Sequence, residues 1–142
     1  RSEHKIDGRD YAMELHLVHE QVADPSKLAV IGVMIDEGAE NTHVKGFWEH
    51  LPKPAGHGEV VRGDSYNFNP VTLIPNGGDY FQYQGSLTTP PCSENVYWTV
   101  MQKPITFSKE QIEAFSKMFP KNNRDVQSPF VRQILRYNFS RN

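Results

Sequence analysis

The sequence predicts a mainly β fold with a few short helices, on three observations. Period-two alternation runs through 11–19 and 95–101, and a continuous apolar, partly β-branched run occupies 28–35. Ten Gly and ten Pro among 142 residues, with 11% aromatic side chains, suit a sheet broken by many turns. The remaining composition is that of an ordinary globular chain, 37% hydrophobic and 23% charged with net charge -2. So small a net charge gives no electrostatic reason to expect nucleic acid or an anionic membrane as partner. No apolar run approaches a membrane span. There is no repeat, low-complexity tract or linker, so 1–142 reads as a single domain or part of one.

In chain order, Ile6-Asp7-Gly8 carries a strong two-residue hairpin signal. The strand that follows puts Met13, Leu15 and Leu17 on one face and Glu14, His16 and Val18 on the other. A carboxylate two residues before a histidine suits a metal site, where the free ring N–H of a ligating imidazole is held by a carboxylate. The same stretch, rich in Ala, Met, Glu and Leu, also fits a helix, and His16 alone also fits a hydrogen-bonded core histidine. Residues 21–27, with Pro25, read as a polar connection, and 28–35 as a strand buried on both faces.

Val44, Phe47, Trp48 and Leu51 then predict a helix over 42–52 that Pro52 ends. His43, His50 and His57 are expected to be solvated, with 54–58 a loop. Val60-Val61 and 71–73 read as short strands, 76–79 as a turn and 80–84 as an aromatic strand. In Gly85-Ser86-Leu87-Thr88-Thr89-Pro90-Pro91-Cys92 the prolines stop the strand and stiffen a loop that holds two hydroxyls at a sheet edge. A fixed hydroxyl can orient a small reactive species, though solvated threonines after a Pro-terminated strand would look the same. Beyond the strand 95–101, Ser108-Lys109-Glu110-Gln111 is a capping box, with Ile112, Phe115 and Phe119 as the buried helix face. Phe130, Ile134 and Tyr137 are spaced for one more short amphipathic helix.

Ser2-Glu3-His4, the strand 13–19, Leu28-Ala29-Val30-Ile31-Gly32 and the octapeptide 85–92 together resemble the α-class carbonic anhydrases, in the family's order and over roughly 2–127. The resemblance implies a central twisted, largely antiparallel sheet, here incomplete. It implies that the chain is the C-terminal portion of the family domain. The His-x-His pair that supplies two zinc ligands would lie upstream of Arg1. It also implies zinc-dependent reversible hydration of carbon dioxide to bicarbonate by attack of zinc-bound hydroxide, with zinc as cofactor.

Carried over residue by residue, His16 is the zinc ligand and Glu14 its orienting carboxylate. Thr88 and Glu3 form the hydroxyl–carboxylate pair that aims the nucleophile, and His4 is a structural hydrogen-bonder. Val18, Val30, Leu87, Val96 and Trp98 would wall the apolar substrate pocket, and Thr89 its entrance. His19 faces away from His16 and is not a candidate ligand. In secreted members of the family a cysteine at this loop pairs with one near the N-terminus. For Cys92 that partner would lie in the missing segment, favouring a secreted or periplasmic protein, and a buried inert thiol is the alternative. Expected partners are carbon dioxide and bicarbonate, the missing N-terminal segment as a separate chain, and a second copy in a homodimer. Nucleic acid and membrane are not expected. The competing reading is a catalytically silent, zinc-free module of the same fold. A metal-independent hydrolase lacks any suggested Ser-His-Asp or Cys-His arrangement. By themselves the 142 residues are expected to be inactive, since one imidazole cannot define a tetrahedral site.

Overall fold

In the computed structural model, residues 1–49, 51 and 68–138 are described. Five strands form one sheet: β1 (Met13–Gln21), β2 (Asp24–Glu37), β3 (Tyr80–Ser86), β4 (Glu94–Phe107) and β5 (Leu135–Tyr137), in the order β1-β2-β4-β3-β5. The pairs β1–β2, β4–β3 and β3–β5 are antiparallel, and the central pair β2–β4 is parallel. The expected mainly β architecture is found, with a mixed sheet. Asp7 and Gly8 take φ of 52° and 78°, closing the short bridge Ile6↔Arg9. That is the geometry an Asp-Gly hairpin turn requires.

Register sorts the side chains onto two faces. Opposite one another lie Val18, Val30, Trp98 and Tyr83, and in the next row His16, Gly32, Val100 and Phe81. Cross-strand partners point the same way, so this face carries Glu14, His16, Val30, Val96, Trp98 and Val100 together. Ile6, Tyr11, Val30, Met34, Val96, Trp98 and Val100 form its core. The opposite face packs Met13, Ile35, Val44, Leu73 and Phe107 beneath Trp48, Ile112 and Phe115. Gly85 makes room for the first core: a Cβ there would lie 2.6 Å from Tyr83 Cε2 and 3.0 Å from Trp98 Cδ1.

The helix α2 (Lys109–Met118) begins at Ser108 with both halves of the capping box formed. The residue that the capping pattern placed at its third position, Gln111, is buried and does more. Its side chain also accepts from the Asn41 N–H and donates to the Asn41 carbonyl, both at 3.0 Å. Phe115 packs into the core as expected, whereas Phe119 is 40% exposed.

Four expectations need correction. The helix over 42–52 is a 3₁₀ turn at Thr42–Val44 followed by one α turn, α1 (Lys45–Trp48). The strand at 71–73 is a 3₁₀ turn, Pro70–Leu73. Asn69 caps it by accepting from the Val71 N–H at 3.1 Å, and Pro70 fixes its first φ. Residues 21–27 are mostly strand: β1 and β2 meet across a tight hairpin, Gln21 pairing with Asp24. Pro25 is tolerated because β2 pairs with β4 only from Leu28 onward. The tail forms β5 rather than a helix. The Tyr137 ring stacks on Tyr80 at 5.1 Å, and Arg136 donates to Asp79 at 2.9 Å. Val60-Val61, His50, His57 and the loop 54–58 lie outside the described residues. Among the described residues no helix is long and apolar enough to cross a membrane.

Candidate functional site

The segment Ser2-Glu3-His4 docks on β1 through backbone chemistry. Ser2 is buried, donates through its hydroxyl to the His4 carbonyl at 2.7 Å, and accepts from the Tyr11 N–H at 3.0 Å. One oxygen of Glu14, Oε2, accepts from the Glu3 and His4 amides, each at 2.8 Å. The other, Oε1, meets His4 Nδ1 at 2.6 Å and His16 Nε2 at 2.8 Å. A carboxylate only accepts, so both of these ring nitrogens carry protons toward Glu14. His4 Nε2 then accepts from the Tyr83 hydroxyl at 2.6 Å.

Burial alone would raise the Glu14 pKa. The hydrogen bonds from His16 and His4, and their positive charge when protonated, outweigh it and hold the carboxyl far below its ordinary range. Tyr83 moves the other way, pushed up by burial and then by the nearby negative charge of Glu14. Its hydroxyl therefore stays a donor at neutral pH. A carboxyl with a depressed folded-state pKa contributes stability that is present above its unfolded pKa and lost as pH falls below it. Urea midpoints of the wild type are accordingly expected to drop from pH 5 toward pH 3 more steeply than those of Glu14→Gln. Parallel pH profiles for the two proteins would contradict this.

Among the described residues, His4, Glu14 and His16 are grouped closely enough for a metal, their ligand atoms within 4.8 Å. Hydrogen bonding decides which of those atoms remain usable. His4 spends both nitrogens and Glu14 both oxygens, which leaves His16 Nδ1. An imidazole with one nitrogen pinned by a carboxylate and the other free is the arrangement that supports a bound zinc ion. The described residues thus fit zinc as a contributor of one ligand. His19 lies on the other sheet face and is exposed, as is His43.

Thr88 sits in the loop after β3, closed by Leu87 N–H to the Ser93 carbonyl at 2.9 Å and Cys92 N–H to the Thr89 carbonyl at 2.8 Å. Glu3, Glu14, His16, Thr88 and Thr89 line one cavity of about 270 Å³. Glu3 Oε1 accepts from the Arg124 N–H at 2.7 Å. Glu3 Oε2 is buried with no hydrogen-bond partner among the described residues, and no bond joins it to Thr88. Of the residues expected to wall an apolar pocket, Val30, Val96 and Trp98 are core side chains, with Leu87 packed against them. Trp98 adjoins the site directly, its ring 4.8 Å from that of His16 and 4.9 Å from that of His4. Val18 is 55% exposed. Cys92 is the single cysteine and is free, so no disulfide forms within the chain, and nothing supports the compartment inferred from one.

Sequence reading missed Tyr83 and Arg124 as parts of this network. Tyr83 reads as one more aromatic in a strand, and the Arg124 contact with Glu3 spans 121 positions that no local pattern connects.

A carboxylate-backed imidazole on the face of a twisted, mostly antiparallel sheet is the arrangement of a β protein that could offer a metal ligand. The chain belongs to the eukaryotic-type carbonic anhydrase family, whose model matches residues 1–139. A carbonic anhydrase from Nostoc sp. is 45% identical over 126 residues, covering 89% of this chain and 46% of that protein. One from Pectobacterium carotovorum is 41% identical, covering 89% and 50%. A hyperthermostable carbonic anhydrase from a hydrothermal vent chimney superposes with TM-score 0.87 at 42% identity, covering 96% of this chain and 60% of that one. The α-carbonic anhydrase from Thermovibrio ammonificans, solved with sulfanilamide, gives TM-score 0.80 at 39% identity, covering 94% and 57%. The chain therefore spans about half the length of the curated relatives it matches.

Proposed function

We propose that the chain supplies part of the active site of a zinc-dependent carbonic anhydrase, which hydrates carbon dioxide reversibly to bicarbonate and a proton. The observation that carries this reading is His16, pinned at Nε2 by Glu14 and open at Nδ1, in one cavity with Thr88 and Glu3. His16 would be one zinc ligand, with two further imidazoles completing the set. Zinc, when bound, acidifies a water molecule so that a nucleophile exists near neutral pH, an effect for which carbonic anhydrases are themselves the standard illustration.

The chain's own residues do the rest. Glu14 fixes the His16 tautomer and ring direction. Glu3 Oε2, which accepts no hydrogen bond among the described residues, would accept one from the Thr88 hydroxyl. The Thr88 oxygen is then left to accept from the nucleophile and aim its lone pair. Carbon dioxide has no dipole to be read, so it would be held by contact alone. Trp98 is the apolar side chain against His16, with Val30, Val96 and Leu87 packed around it in the core rather than lining the cavity, and Val18 exposed at the margin. Thr89, exposed at the cavity mouth, would hydrogen-bond departing bicarbonate.

Stopped-flow hydration assays on zinc-loaded protein carrying the complete ligand set test this. Turnover is expected to vanish on chelation and return with zinc. Thr88→Ala is expected to retain zinc yet lose about 10–100-fold in kcat. Zinc-retaining protein with no turnover would instead favour a silent binding module. A Thr88→Ala variant with full turnover would remove the hydroxyl from the mechanism.

A further inference from the structure

Arg124 bonds to the Glu3 carboxylate and, at the same time, to the two residues that lead into Thr88. Its backbone N–H donates to Glu3 Oε1 at 2.7 Å. Its guanidinium Nη1 donates to Ser86 Oγ at 3.2 Å and reaches the Leu87 carbonyl at 3.5 Å, the two residues immediately before Thr88. These three anchors lie far from Arg124 in sequence, 121, 38 and 37 positions away, so the residue ties together segments that nothing local connects. Among the described residues the guanidinium has no carboxylate partner. It spends its donors on neutral oxygens of the loop instead. A side chain used this way fixes geometry rather than balancing charge, and a planar fork with several donors suits two diverging acceptors better than a single ammonium.

We propose that Arg124 is a positioning residue for the reaction proposed above, holding the Thr88 loop at a fixed distance from the Glu3 carboxylate. The side chain sets the loop and the main chain of the same residue sets the carboxylate, so a shift of one relative to the other requires Arg124 itself to move. This proposal rests on that functional reading for its catalytic consequence, but not for its structural one.

Two measurements test it. Amide hydrogen exchange on the chain itself should show the Leu87 N–H, bonded to the Ser93 carbonyl, exchanging about tenfold faster in Arg124→Ala, with β2 and β4 amides unchanged. Arg124→Lys should fall between the two. In zinc-loaded protein, Arg124→Ala should lose about tenfold in kcat with zinc content and KM little changed, and should add almost nothing to a Thr88→Ala background. Unaltered Leu87 exchange overturns the proposal, whatever the activity. Losses in kcat that add fully to those of Thr88→Ala overturn it too, because Arg124 would then not act through that hydroxyl. Wild-type protein that holds zinc without turnover refutes the functional reading alone, and the exchange measurement then decides whether Arg124 holds the loop.

Discussion

Replacing Trp98 by Ala is expected to lower the unfolding free energy by about 3–5 kcal/mol, a large share of the 5–15 kcal/mol typical of a whole domain. The ring is 2% exposed and lies beneath both imidazoles of the site, stacked on Tyr83 at 6.2 Å. Its indole N–H donates to the Ser86 carbonyl at 3.0 Å, next to the loop that carries Thr88. Truncation would therefore open a cavity, orphan a carbonyl and unseat two histidines together. Trp98→Phe keeps most of the buried area but loses the N–H bond, and should cost only about 1–3 kcal/mol. Urea titration measures both. A Trp98→Ala loss below 1 kcal/mol would mean that the surrounding face collapses around the gap, and the ring would not be the platform described.

His16→Ala should abolish zinc retention outright wherever the unaltered protein holds the ion. The side chain is about one-fifth exposed and its bond to Glu14 lies at the margin of the core, so the fold should survive the change. Metal analysis after gel filtration, with circular dichroism as the folding control, separates the two effects. Zinc retained at the unaltered level in a folded His16→Ala protein would sink the assignment of Nδ1 as a ligand.

What could be read from the residues alone was whatever short-range periodicity encodes. Glu14 and His16 on one face, Met13 and Leu15 on the other, follow from strand alternation once the helical alternative is set aside. The Ser108 cap and the Asp7-Gly8 turn follow from side-chain and backbone preferences acting within four residues. The failures share a cause as well. Phe130, Ile134 and Tyr137 have helical spacing, but β3 offers an unpaired edge, and ladder bonds with the Tyr80 stack prevail over a spacing that buries nothing. At 71–73 the β-branched Val71-Thr72 before Leu73 looked like a strand, while Asn69 and Pro70 had already set a turn. Arg124 at Glu3, and Tyr83 at His4, were invisible for a different reason: their partners are chosen by the folded sheet rather than by neighbours in the chain.

The central parallel pair also bears on how the protein is made. Leu28 lies beside Val96, so β2 cannot meet its inner neighbour until most of the chain exists. At a synthesis rate of about 5–20 residues per second, the β1–β2 hairpin would leave the ribosome several seconds ahead of the strand that covers it. During that interval an apolar ladder edge stands open to whatever is nearby. The charged rim at Lys27, Asp36 and Glu37 leaves the middle of that edge unguarded until Val96 to Met101 arrive to pair with it.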